Sequence, residues 1–270
     1  NVLKKLKPSF FVFENVVGML SAKPGDVPVT ERLAEAFKKA GYVIPAIDKH
    51  IVFDLAEMGG PQKRKRVIIF GLHKTVDEAA VKVEAFYSHL NRMKTNPGSV
   101  REAIGDLPKL MPLGNPDKRR SHKINSDDPL HCPRFHNVRD RGIFKKLATD
   151  ARKKKPQYGS SEKLKELYTQ ETGRKSAVHK YHVLKADKPS NLIPAHLYKD
   201  GLRHIHYDPR QERSITMREA ARLQTFPDKF EFKGAQGDIY KMIGNAVPPL
   251  LAKKIAIAII RTLGRKPKAS

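Results

Sequence analysis

Four consecutive apolar residues, Phe10-Phe11-Val12-Phe13, give way abruptly to Glu14-Asn15-Val16. So short an apolar run reads as a buried strand. A carboxylate and an amide at the end of such a strand stand where open α/β sheets present groups to ligands. A solvated strand-end turn explains the same residues, and the local pattern does not separate the two. Val67-Ile68-Ile69-Phe70-Gly71 is a second buried run. Between them Val29, Leu33, Phe37 and Ala40 share one helical face, with Thr30 as the predicted cap and Gly41 as terminator. Tyr42 to Phe53 reads as a strand interrupted at Pro45. Near the C-terminus, Leu251, Ile255, Ile259 and Leu263 recur at four-residue spacing. They predict a helix over Pro248 to Leu263, closed by Gly264, whose stripe packs most simply on the sheet.

The densest signals lie in residues 213–250. Thr216 stands three residues before Glu219, the capping-box spacing, so a helix is predicted from there through Gln224, ended by Pro227. Gly244-Asn245-Ala246-Val247-Pro248-Pro249 reads as a tight turn followed by prolines suited to a helix's first turn. Residues 74–210 differ in being polar, loop-rich and basic, with clusters at Lys118-Arg119-Arg120 and Arg152-Lys153-Lys154-Lys155. Within them Ser160 or Ser161 caps a predicted short helix through Tyr168, and Asn137-Val138-Arg139-Asp140 precedes one over Ile143 to Asp150. Ala195 to Gly201 reads as loop, strand and turn. This shift in composition marks an inserted module.

Composition narrows the class. Hydrophobic residues are 39% of 270 and mean hydropathy is −0.54, which predicts a globular protein with ample length for a core. The apolar run Ile255 to Ile260 is too short to span a bilayer, and Asn1 to Lys7 carries no signal-peptide pattern. No membrane association is expected, and the expected location is cytoplasmic. Lys plus Arg number 53 against 28 Asp plus Glu, a net charge of +25, which suits a polyanion whose phosphates release counterions on binding. One cysteine excludes an intrachain disulfide framework. His122, His131, His136 and Cys132 cluster in sequence, but their spacing fits no standard zinc pattern, and no metal is expected.

Chemistry is suggested by Gly59-Gly60-Pro61-Gln62-Lys63-Arg64-Lys65-Arg66. In extended backbone Gln62, Arg64 and Arg66 project to one side. Two guanidiniums and an amide on one face suit a phosphate or a base carbonyl. An exposed basic lead-in to a strand is the plainer explanation; Gln62 and the flanking glycines favour the first.

Four stretches, in this order, resemble the cytosine-C5 DNA methyltransferase family. They are Glu14-Asn15-Val16, Pro61-Gln62-Lys63-Arg64-Lys65-Arg66, Arg218-Glu219-Ala220-Ala221-Arg222-Leu223-Gln224-Thr225-Phe226-Pro227 and Gly244-Asn245-Ala246-Val247-Pro248-Pro249. The first is weak alone and the last two are highly specific. The resemblance implies an α/β fold, part of a Rossmann-like methyltransferase sheet with an inserted small, irregular β-rich target-recognition domain. It divides the chain into a partial catalytic domain at 1–74, a recognition domain at 75–210, and a return to the catalytic domain at 211–270.

The resemblance also implies roles. Glu14 meets N3 and the amino group of a flipped cytosine, with Arg66 at its O2 carbonyl and Arg64 beside phosphate or the catalytic loop; these three are the expected catalytic residues. Asn245, Ala246 and Val247 line the site for S-adenosylmethionine, the methyl donor. Asn15, Gln62 and Arg218 are expected to position. The substrate implied is double-stranded DNA, in a restriction-modification setting.

The family's Phe-x-Gly-x-Gly cofactor loop and Pro-Cys-Gln nucleophile do not occur, and Cys132 precedes rather than follows proline. The chain therefore reads as the C-terminal portion of such an enzyme or one subunit of a split one. A complementary chain would carry the nucleophilic Cys, and this chain by itself would be inactive and would associate tightly or dissolve poorly. The alternative is a non-catalytic sequence-specific DNA-binding module derived from the same fold.

Overall fold

The computed structural model describes residues 2–114 and 119–264. Lys118 of one predicted basic cluster, and residues 265–270, lie outside them. The helices are α1 (Val2–Leu6), α2 (Val29–Lys39), α3 (Ala79–Asn91), α4 (Val100–Ile104), α5 (Val138–Asp150), α6 (Ser161–Thr172), α7 (Met217–Leu223), α8 (Gln236–Asn245) and α9 (Pro249–Leu263). The strands are β1 (Phe10–Val16), β2 (Tyr42–Val43), β3 (Val52–Asp54) and β4 (Lys65–His73). The chain divides into two compact units, one of residues 1–59, 64–96 and 249–270, the other of residues 60–63 and 97–248.

The first unit is built on β4. It pairs antiparallel with β1 along one edge and with β2 and β3 along the other. Strands β1, β2 and β3 therefore share one direction, and β4 is the reversed member. Flanked on both edges, β4 is buried from Arg66 to Leu72, as its near-continuous apolar sequence requires. Strand β1 departs from expectation twice. It runs on through Val16, so Glu14 and Asn15 lie within the strand and not beyond its end. It is also an edge, only half-buried, with Phe10 38% and Val12 39% exposed. Gly71 on β4 lets the Phe11 ring lie flat against the backbone, since a Cβ there would meet Phe11 at 2.3 Å.

Helix α3 was not foreseen. Its Val83, Phe86, Tyr87 and Leu90 are buried, and the Tyr87 hydroxyl accepts from Phe70 N–H (2.9 Å) and donates to Ile68 C=O (3.1 Å), tying it to β4. Helix α9 has the expected stripe, with Leu251 and Ile255 buried, but packs on α3 where the sheet was expected. Thr30 is not the cap of α2; Pro28 holds that position without a side-chain bond. The expected strand from Tyr42 to Phe53 breaks into β2, a 3-10 turn at Lys49–Ile51 and β3.

In the second unit the expected β-rich structure reduces to isolated bridges such as Gln62↔Ser190 and Ile205↔Ser214. Prolines at 108, 112, 129, 133, 189 and 194 remove the donors that a continuous ladder needs. Order comes instead from capped helices. Asn137 caps α5 and Ser160 caps α6, each lengthening the predicted helix, while Ala195–Tyr198 is a 3-10 turn rather than a strand. Thr216 and Glu219 form the predicted capping box of α7. That helix stops before Pro227: Thr225 turns left-handed (φ 69°), with Phe226 N–H bonded to Ala221 C=O at 2.9 Å. The units therefore divide the sequence elsewhere than at 74 and 211. Residues 75–96 pack with the sheet, and 211–248 pack with the middle of the chain.

Gly244 is not in a turn. It lies within the last turn of α8, where a Cβ would sit 2.5 Å from the backbone of Pro194 and Ala195. Its absent side chain serves close approach, not left-handed backbone. The stretch Gln236–Leu263 is long and apolar enough by composition to cross a bilayer. It is divided at Ala246-Val247-Pro248 into helices of 10 and 15 residues, each short of the roughly 20 needed.

Two tests follow. Gly244→Ala should destabilise the protein by about 1–3 kcal/mol through overpacking against backbone, outweighing the roughly 0.5–1 kcal/mol that alanine gains in a helix; a raised melting temperature would contradict the packing. Burial holds His136, His204 and His206 down at about 3 and His122 at about 4. In the unfolded chain each titrates near 6.5, so there the unfolded state takes up protons first. Stability should be full above about pH 6.5 and fall as pH drops through that value, by up to about 1.4 kcal/mol per histidine per pH unit. A urea midpoint flat from pH 7.5 to 5 would contradict this.

Candidate functional site

The antiparallel register sets Glu14 opposite Ile68 and Val16 opposite Arg66. Glu14 and Arg66 are thus diagonal neighbours on one face of the sheet, a separation that long side chains bridge. They do: Arg66 Nε donates to Glu14 Oε1 at 2.7 Å, with the side chains 9% and 30% exposed. Arg66 also donates through Nη1 to Lys65 C=O (2.8 Å), which fixes the guanidinium plane. Burial lowers the pKa of Arg66, and the Glu14 carboxylate works against that shift.

Arg64 joins them. It is 1% exposed and is pushed down to about 10, first by burial and then by the Arg66 charge, with Glu14 acting in the opposite sense. Its backbone is held by Asp54, whose Oδ1 accepts from Arg64 N–H (2.8 Å) and Ala56 N–H (3.1 Å), while Leu55 N–H donates to Arg64 C=O (3.0 Å). Asp54 was missed by sequence reasoning; a lone carboxylate closing the apolar Val52-Phe53 was its only signal. Asn15 turns its amide oxygen onto Val16 N–H (2.8 Å), so it braces its own strand. Two buried guanidiniums and one part-buried carboxylate form a compact set able to hold a planar, polar group by donor and acceptor together.

The other predicted residues lie in the second unit. Gln62 precedes β4, which begins only at Lys65, and makes an isolated bridge with Ser190. Its buried amide donates to Gln224 Oε1 (2.5 Å) and Leu223 C=O (3.3 Å) and accepts from Ile193 N–H (3.0 Å). Gln224 in turn donates to Ile243 C=O (2.9 Å) and Ala246 C=O (3.1 Å). Asn245 is exposed on the last residue of α8, and Ala246 and Val247 are half-buried, Ala246 in extended backbone (φ −67°, ψ 149°). Arg218 is held by Asp128 and lies 3.5 Å from Asp228, an anchored side chain.

The histidine cluster is spent on hydrogen bonds. His122 Nε2 meets Gln211 C=O at 2.8 Å, His131 bridges Thr216 Oγ1 (3.1 Å) and Pro108 C=O (2.8 Å), and His136 Nε2 meets Ser214 Oγ at 3.1 Å. Among the described residues no group of His, Cys, Asp and Glu is placed to hold a metal. Arg152, Lys153, Lys154 and Lys155 are exposed. A hollow of about 410 Å³ in this unit is lined by Arg134, Arg139, Arg174 and Lys199 together with Tyr168 and Tyr181.

Comparison with known proteins shows the family of the chain. The profile of the C-5 cytosine-specific DNA methylase family matches residues 1–261. Type II methyltransferase M.Bpa9945I of Bacillus paralicheniformis is 34% identical over 96% of this chain and 61% of its own length. Type II methyltransferase M1.HphI of Haemophilus parahaemolyticus is 30% identical over 96% and 59%. The chain thus spans about three fifths of the length of these relatives. The solved Schizosaccharomyces pombe Dnmt2 methyltransferase superposes with a TM-score of 0.54 at 12% identity, covering 95% of this chain and 68% of its own, a likeness of fold. The chain, mixed α/β with a small antiparallel sheet, belongs to the C-5 cytosine-specific DNA methylase family.

Proposed function

We propose that this chain supplies the base-holding and target-reading portion of a DNA (cytosine-5-)-methyltransferase of a restriction-modification system. The carrying observation is the Glu14–Arg66 ion pair with the Arg64 guanidinium beside it. In this reading Glu14 meets N3 and the amino group of a cytosine turned out of the duplex, since the target atom is unreachable in the stack. Arg66 meets the O2 carbonyl and fixes the Glu14 rotamer. Attack on C6 loads negative charge onto the ring; a carboxyl group hydrogen-bonded or proton-sharing at N3, and a guanidinium at O2, disperse that charge where it develops. Arg64, pinned through its backbone by Asp54, adds a second positive charge to the same face.

S-adenosylmethionine would supply the methyl group. Asn245, Ala246 and Val247 fit it in kind: an exposed amide able to donate and accept, then two small apolar side chains on extended backbone, with no charge among them. The net charge of +25 and the basic, tyrosine-lined hollow support double-stranded DNA as substrate, phosphates being met by Arg and Lys. Arg218, Gln62 and Asn15 position. In this reading the nucleophilic cysteine comes from residues outside this sequence, in a complementary methyltransferase chain or in the rest of a longer one; Cys132 is half-buried and burial raises its thiol, the wrong direction for a nucleophile. The exposed apolar residues of edge strand β1 favour such a covering piece.

The chain mixed with a complementary piece carrying Pro-Cys-Gln should transfer methyl groups to cytosine in DNA, and the chain by itself should not. In that pair Glu14→Gln should lower kcat by about 100-fold or more while the DNA Kd moves less than about threefold. Equal losses in turnover and DNA affinity would sink this assignment in favour of a non-catalytic DNA-binding module.

A further inference from the structure

Gln62 and Gln224 stand 162 positions apart in the chain, and both are fully buried. Each amide is fully used. Gln224 donates both its hydrogens, to Ile243 C=O and Ala246 C=O, and accepts from Gln62; Gln62 donates to Gln224 Oε1 and Leu223 C=O and accepts from Ile193 N–H. Ile243 C=O lies in the last turn of α8, where it also takes Ala246 N–H (3.4 Å), and Ala246 C=O lies just beyond the helix. Withdrawing a donor from such carbonyls is costly, so the extended path taken after Asn245 is favoured by the two bonds they receive from the Gln224 amide. Gln224 donates to both carbonyls. It is aimed by the left-handed Thr225 turn that ends α7 and is held at its oxygen by Gln62.

The structure assigns to the Gln62–Gln224 amide chain the setting of the backbone at Ala246 and Val247, and through it the affinity for S-adenosylmethionine. This rests on the proposal that residues 245–247 line the cofactor site. Gln224 is a positioning residue: it acts through the carbonyls of the segment and touches no cofactor. Gln62 acts one step further back. The stretch preceding Arg64 and Arg66 is thereby coupled to the cofactor segment by a relay of two side chains.

The test uses the chain paired with its complementary methyltransferase piece, and S-adenosylhomocysteine as probe. Gln224→Met keeps length and loses every amide bond. By titration calorimetry its Kd should rise about tenfold, and Gln62→Met should raise it less, with DNA affinity changed by under about twofold. The two substitutions should combine non-additively, because both break one relay. An unchanged Kd in Gln224→Met beside a raised Kd in Asn245→Ala overturns the relay alone. An unchanged Kd in both overturns the cofactor assignment and the relay with it. Folding of the variants need not decide the matter: in the ¹⁵N-labelled wild-type chain, the side-chain amide resonances of Gln62 and Gln224 should move on adding the probe, and resonances that stay fixed overturn the relay.

Discussion

Arg213 and Glu219 are each 1% exposed, and their charges meet in a two-point contact at 2.6 and 2.7 Å. Removing two such groups from water costs several kcal/mol apiece, and only close pairing with further hydrogen bonds offsets it. Burial pushes Glu219 up, but Arg213 and neighbouring groups outweigh it and hold the carboxyl at about 2. The same carboxylate caps α7, accepting from Thr216 N–H at 2.7 Å, while Gln211 Oε1 takes up Arg213 through Nε and Nη2. The start of α7 is therefore determined by a charge that must not be left unpaired; deleting either partner would strand the other at a cost of about 3–5 kcal/mol.

That requirement recurs at the Glu14–Arg66 pair and at the buried glutamines. Arg64 and Arg66 are buried, and Glu14 is the carboxylate that answers Arg66. Glu14 is 30% exposed where Arg66 is 9%, so the pair presents its acceptor outward and keeps its donor fixed behind it. Gln62 and Gln224 are the neutral counterpart, two amides whose four donors and two acceptors are all consumed. A half-satisfied network would be worse than an apolar core. Sequence motifs far apart in the chain are tied to one another for this reason: the Pro-Gln pair at 61–62 and the Leu-Gln pair at 223–224 are two ends of one hydrogen-bonded relay.

Part of this was legible before any coordinates. The capping box at Thr216 and Glu219, the amphipathic stripe of α9 and the buried run of β4 all follow from spacing, because they rest on local periodicity and on side chains that satisfy nearby backbone. A cap at Ser160 or Ser161 follows for the same reason, and Ser160 is the one used; Asn137, expected only to precede α5, caps it, and both helices are longer than the pattern predicts. Helix α3 was lost in a stretch read as polar insertion, since Lys82, Glu84, Ser88 and His89 dilute its apolar face. Gly244 and Thr30 were misread because a glycine or a threonine carries several local uses, and neighbours distant in sequence choose among them.

The order of residues along the chain determined which groups were available: a carboxylate closing an apolar run, paired arginines before a second run, and a family identity carried by four stretches in order. Tertiary pairing decided what those groups do. The β1–β4 register brings Glu14 to Arg66 across about fifty residues of chain, and alternation in a single strand cannot predict that, because register is a relation between two strands. Folding likewise committed Gln62 to Gln224, since a buried amide is directed by its hydrogen-bond partners more strongly than by its position in the sequence.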